Sequence, residues 1–187
     1  MRAVMPYFAT VGVLLLAGRS TLAAQAPKTT AEIGTSVGVT ILSQSGFNTQ
    51  THIGVPGGVG PISVFSPMLY ASFFASPSLM VEPQVSFSST SSGGTTDTFF
   101  WFAGQVAYLF TPHQTGSPYL AVNGAFQTAS ETGSTSVSGP GFGGAVGYRF
   151  KVKSSLAIRL DGRYRRWFSD FKDLNEIGFS LGLGAIF

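Results

Sequence analysis

The chain has no cysteine, only 2 histidines, and few charges, with Asp, Glu, Lys and Arg making up 10% of its 187 residues. Each shortage excludes something. Without cysteine there is no disulfide framework, no thiolate metal site and no cysteine nucleophile. A soluble domain carries about 25% charged residues, so an ordinary water-facing exterior is hard to build from this composition. Past the first 26 residues no apolar run approaches the ~20 residues that a spanning helix needs. What the chain has instead is 44% hydrophobic residues, 24 Gly and 17 Phe, far too apolar for a disordered segment.

Residues 1–26 read as a secretory signal peptide. Arg2 supplies positive charge, residues 11–17 form a short apolar core, and Leu22-Ala23-Ala24-Gln25-Ala26 offers small residues to signal peptidase. Cleavage is expected after Ala24, giving a leader of residues 1–24; after Ala26 the cut would be followed by Pro27. Losing Arg2 and Arg19 leaves 9 basic groups against 8 acidic ones. The near balance gives no reason to expect a nucleic-acid partner.

From residue 31 onward the dominant hydrophobic period is two, the signature of strands with distinct faces. Ile177, Phe179, Leu181, Leu183, Ala185 and Phe187 share one face of the last segment, and Glu176, Gly178, Ser180, Gly182 and Gly184 the other. In 156–168, Leu156, Ile158, Leu160 and Tyr164 oppose Arg159, Asp161, Arg163 and Arg165. Similar alternation predicts strands over 31–43, 61–74, 79–90, 98–111, 118–129 and 141–152, with 61–74 weakened by Pro61 and Pro67. Connections alternate in length. Those at 75–78, 111–117 and 153–155 are the shorter; 43–60, 90–97 and 129–140 are longer and rich in Ser, Thr and Gly. The segment 169–173 is short but falls in the long series. Short turns on one rim and longer loops on the other suit an antiparallel outer-membrane barrel. The fold expected for residues 31–187 is therefore all-β: an eight-stranded, antiparallel, up-and-down transmembrane β-barrel.

Alternation does not choose which face meets solvent. The polar face is mostly Gly, Ser and Ala with charges of both signs, which suits the narrow interior of an eight-stranded barrel better than a water-exposed surface. Charges inside must be paired. Glu32, Glu82, Asp161 and Glu176 are balanced by Arg149, Arg159, Arg163 and Arg165, so a lumenal ion-pair network is expected among these residues. On the last hairpin, long inward arginines are expected opposite Gly or Ser. Aromatics at strand ends suggest two girdles: Tyr70, Phe73, Tyr108, Phe110, Tyr119, Tyr148 and Phe150 at one rim, Phe99, Phe100, Trp101, Trp167 and Phe168 at the other, with Trp101 and Trp167 in the inward phase.

These residues resemble the small outer-membrane β-barrel superfamily that includes OmpX-like, opacity-type and OmpA transmembrane-domain proteins. The resemblance covers residues 31–187. It is most specific in the Gly-rich strand Gly143-Gly144-Ala145-Val146-Gly147-Tyr148-Arg149-Phe150, followed by the Arg-rich Leu156-Ala157-Ile158-Arg159-Leu160-Asp161-Gly162-Arg163-Tyr164-Arg165. The ending Ser180-Leu181-Gly182-Leu183-Gly184-Ala185-Ile186-Phe187 resembles the signal read by the barrel-assembly machinery, with Gly182 and Phe187 in place and Ala185 where a larger residue is usual. The resemblance implies export through the periplasm, insertion into the cell outer membrane, periplasmic termini and outward-facing long loops. It implies no single activity.

Catalytic and cofactor chemistry is sparse. His52 and His113 fall at opposite ends of the expected barrel and lack ligand spacing. Gly139-Pro140-Gly141-Phe142-Gly143-Gly144 satisfies G-x-G-x-x-G but leads into an alternating strand rather than a helix, so it is no dinucleotide fingerprint. Some barrels of this size are lipid A enzymes using His and Ser; His52 with Ser43, Ser45 or Asp97 is the constellation available, and no spacing supports it. No cofactor, metal or enzyme activity is expected. Arg166 points outward near the loop end, where it is expected to contact phosphates of outer-membrane lipid or lipopolysaccharide. The function expected is a closed polar-lumen barrel with a structural or surface-interaction role through its outer loops. The alternative is passage or binding of a small hydrophobic molecule, and a third reading is a soluble lipocalin-like carrier.

Overall fold

In the computed structural model, residues 31–44, 49–54, 68–92, 94–112 and 114–187 are described. The strands are β1 (Ala31–Gln44), β2 (Gln50–Gly54), β3 (Met68–Ser76), β4 (Leu79–Ser92), β5 (Thr95–Leu109), β6 (Gly116–Glu131), β7 (Val137–Lys153), β8 (Leu156–Trp167) and β9 (Leu174–Ile186). β1 pairs antiparallel with both β2 and β3, each strand from β3 to β8 pairs antiparallel with the next, and β1 pairs with β9 to close the cylinder. The wall has eight positions because β2 and β3 share one. Leu42–Gly38 of β1 faces Gln50–Gly54, and Ser36–Ala31 faces Met68–Phe73. Closure leaves no free sheet edge at the β1–β9 seam, where backbone bonds between Ala31 and Phe187 continue the ladder.

Alternation sets the faces. Leu181 and Val122 project outward at 52% and 67% exposure, in company with Ile33, Val146, Leu160 and Leu183. Arg163, on the inward phase, is only 8% exposed. So continuous an apolar belt has no counterpart on a water-soluble monomer and matches the lipid-facing band of a membrane barrel. Among the described residues no helix is long and apolar enough to cross a membrane.

Three expectations need correction. The expected strand 61–74 is described from Met68 and continues to Ser76, with 61–67 outside the described residues, while the expected loop 43–60 contains β2. The expected loop 90–97 is mostly ladder, with Thr90 opposite Asp97 and Ser92 opposite Thr95 before the turn at Gly94 (φ 86°). Likewise 129–140 shrinks, because β6 reaches Glu131 and β7 begins at Val137. The reason is common to both hairpins. Above the apolar belt, Ser and Thr serve on both faces, so the period-two signal fades while backbone pairing continues. The aromatic girdles are thinner than expected. Phe73, Tyr108, Phe110, Tyr148, Phe150, Phe100 and Phe168 face outward, and Trp101 and Trp167 are buried in the lumen as their phase predicts, but Tyr70, Tyr119 and Phe99 are buried there too. Tyr70 pairs with Gly34 and Tyr119 with Gly147, and these side-chain-free neighbours make room for the rings inside.

Candidate functional site: the charged lumen

Inward phase on β1, β4, β7, β8 and β9 delivers Glu32, Glu82, Arg149, Arg159, Asp161, Arg163, Arg165 and Glu176 to the lumen. They lie in three layers. Nearest the short-turn end, Arg149 Nε donates to Glu32 Oε2 at 2.7 Å and Tyr70 OH donates to Glu32 Oε1 at 3.0 Å. In the middle, Arg159 clasps Glu82, its Nη2 reaching Oε1 at 3.1 Å, while Ser72 and the amides of Gln84 (2.7 Å) and Gln105 (3.0 Å) donate to the same carboxylate. Asp161 lies 3.5 Å from Arg159 Nη2 and accepts from Ser180 at 3.4 Å. Toward the loop end, Glu176 accepts from Arg163 Nε at 2.9 Å, Arg165 Nη1 at 3.1 Å and Trp167 Nε1 at 2.9 Å. Arg165 Nε donates to Asn123 at 3.1 Å, and its guanidinium stands 5.4 and 5.3 Å from the rings of Trp101 and Trp167.

Shape complementarity across the last hairpin explains how bulky cations fit. Arg159 is opposite Gly182 and Arg163 opposite Gly178, while Asp161 faces Ser180. Arg165 departs from the large-against-small pattern by facing Glu176, its ion-pair partner. Every carboxylate of the network meets an arginine, as burial of charge demands. Between the layers lies an enclosed chamber of about 10 Å³ bounded by Gln84, Gln105, Arg159, Asp161, Arg163 and Arg165, room for about one water molecule.

Charge pattern alone left out the neutral members of the network. Tyr70, Ser72, Gln84, Gln105, Asn123 and Trp167 hold its geometry. For Gln84, Gln105 and Asn123 the signal was available, since each is a polar residue in the inward phase. Tyr70 was hidden by its position at a strand end.

Outside the lumen, Arg166 faces outward with its side chain 56% exposed, 3.5 Å from Asp173. Gly182 is inward on β9 and Phe187 is exposed at the turn end. His52 pairs through its backbone with Thr40 on β1, whereas Asp97 is on β5, which does not adjoin β2. Ser45, His113 and the leader lie outside the described residues. Among the described residues no group of three or more His, Cys, Asp or Glu is placed to hold a metal ion.

Residues 10–187 match the outer membrane protein beta-barrel domain family. No curated protein sequence matches the chain. Among solved structures, the attachment invasion locus protein Ail of Yersinia pestis is similar at a TM-score of 0.56 and 15% identity, over 85% of this chain and 97% of that one. Neisserial surface protein A is similar at 0.58 and 15%, over 87% and 99%. The outer membrane protein OprG of Pseudomonas aeruginosa is similar at 0.53 and 8%, over 84% and 95%. At such identities the likeness shows the fold alone.

Proposed function

The chain belongs to the outer membrane protein β-barrel domain family and resides in the outer membrane, and from that premise we propose that it is a sealed membrane scaffold working through its loop end. In this reading residues 1–24 are a signal peptide removed after Ala24 or Ala26, the terminal Gly182 and Phe187 are read by the barrel-assembly machinery, and the role is non-enzymatic. The observation that carries the proposal is the content of the lumen. Four arginines and four carboxylates, all largely buried, interlock across the barrel, and the chamber beside Arg159, Asp161, Arg163 and Arg165 holds about 10 Å³. An eight-stranded barrel has little interior to spare, and side chains locked in charge-assisted bonds do not swing aside cheaply. Passage of a small hydrophobic molecule, the alternative, would require an apolar solute to cross this belt.

Above the belt the β4–β5 and β6–β7 hairpins carry Ser91, Thr96, Thr132 and Ser136, whose hydroxyls bond across the hairpins and between them. That ordered hydroxyl rim supports a surface-contact role. Attachment and surface proteins among the structural neighbours are consistent with it. Two measurements test the reading. Purified protein in planar bilayers is expected to show no stable large conductance, and cells are expected to yield it in the outer-membrane fraction with heat-modifiable migration. A persistent large conductance would end the sealed-lumen reading.

A further inference from the structure

The short turn Ser169–Phe171 between β8 and β9 buries a single side chain, Phe171, which is 6% exposed. Its ring meets Trp167 edge-on at 6.1 Å and 68° and joins a buried cluster with Leu42, Phe99, Trp101 and Leu174. Gly139 lies beneath the turn, where a β-carbon would clash with the Phe168 carbonyl oxygen and meet the Phe171 ring at 3.0 Å. The turn is bracketed by Ser169 (φ 62°) and Asp173 (φ 65°), both left-handed and neither glycine. Holding these residues in that region offsets part of what burying the phenyl ring gains. Asp170 accepting from the Ser138 N–H at 2.8 Å and Gln44 donating to the Lys172 carbonyl at 2.9 Å keep the turn in place.

Beside this ring is chemistry that a phenyl group cannot use. Trp101, Gln127 and Gly139 lie in one row across β5, β6 and β7. Trp101 and Gln127 are fully buried, and the indole Nε1 and both polar atoms of the Gln127 amide have no hydrogen-bond partner. Unsatisfied buried groups are expensive, and a cluster of three at one height calls for an explanation. A hydroxyl brought there has both functions required: it accepts from the Trp101 N–H and donates to the Gln127 carbonyl oxygen.

We propose that the loop end of the barrel is a binding pocket for a small hydroxylated aromatic molecule, a phenol in chemical class, and that Phe171 occupies it as an internal stand-in. The ligand's ring takes the place of Phe171 against Trp167 and Gly139, and its hydroxyl satisfies Trp101 and Gln127. Binding does not require crossing the ionic belt, so this inference goes beyond the scaffold reading and does not depend on it. A barrel that conducted ions could still hold the pocket.

The chain's 2 tryptophans, Trp101 and Trp167, both line the pocket and serve as its reporters. Neutral 4-nitrophenol, titrated into the folded full-length barrel in detergent, is expected to quench their fluorescence saturably. Phe171→Ala should tighten that binding about tenfold by removing the competitor, and Gln127→Leu should weaken it about fivefold by removing the polar partner. Nitrobenzene, lacking the hydroxyl, should bind the natural chain less tightly. Folding of each variant is checked by heat-modifiable migration, and Phe171→Leu replaces Phe171→Ala if the latter does not fold. Linear, non-saturating quenching in the natural chain overturns the proposal, including the case where only the Phe171 variant saturates and so exposes a mere engineered cavity. Saturable binding indifferent to both Gln127→Leu and loss of the hydroxyl also overturns it.

Discussion

Gly143 and Arg165 are paired across β7 and β8 so closely that a β-carbon on the glycine would lie 2.8 Å from the arginine Cα. The three atoms nearest to that position all belong to the β8 backbone, the Tyr164 carbonyl oxygen first. Backbone atoms cannot move aside as a side-chain tip can, so Gly143→Ala should destabilise the barrel by about 1–3 kcal/mol, the usual cost of overpacking. Gly104 faces lipid, and a β-carbon there would have no atom within 4 Å. Gly104→Ala should be neutral or gain up to about 1 kcal/mol from reduced chain entropy. Urea unfolding in detergent, followed by the heat-modifiable band, compares the two.

Glu176 is the shared ion-pair partner of Arg163 and Arg165. Glu176→Gln preserves shape but strands two buried cations, and the expected loss is about 3–5 kcal/mol. Glu131, exposed beyond the apolar belt, should tolerate the same change within about 0.5 kcal/mol. Equal losses at the two sites would show that the lumenal pairs contribute nothing particular to stability.

The orientation of the faces has its own test. Leu181→Arg puts a cation into the lipid-facing belt and should cost about 2–4 kcal/mol, whereas Val152→Arg, near the short-turn end, should cost about 0–1 kcal/mol. Refolding into lipid vesicles measures the difference, and a mild effect at Leu181 with a severe one at Val152 would contradict the assigned depth.

Arg166 is expected to hold an anionic lipid phosphate through its planar donor fork, with Asp173 at 3.5 Å as a competitor. Lipopolysaccharide co-purifying with the barrel should fall in Arg166→Ala and rise in Asp173→Asn. If neither amount changes and the melting temperature stays put, the lipid contact should be abandoned.

Much of the architecture is legible from residue order because side-chain direction along a strand is a local property. Ile177 to Phe187 and Leu156 to Arg165 declare two unlike faces without any knowledge of what pairs with them. The scarcity of charge then assigns the apolar face to lipid. Where locality ends, legibility ends. The hairpins above the membrane carry Ser and Thr on both faces, so nothing in their pattern marks where pairing stops, and Ser92 opposite Thr95 is read as loop until the ladder is seen. Tyr70 and Tyr119 look like interfacial aromatics until their glycine neighbours place them inside.

Sequence alone thus determined the eight positions of the wall, the apolar face of each clearly alternating strand and the charge balance of the interior, all of which depend on composition and a two-residue period. Tertiary structure decided the partners. Arg149 meets Glu32 across 117 residues of chain, Arg165 reaches Asn123 on a strand that is not its neighbour, and Phe171 turns back into the mouth. Those contacts depend on register and closure of the whole cylinder, and many different pairings would satisfy the same alternation until the seam between β1 and β9 selects one.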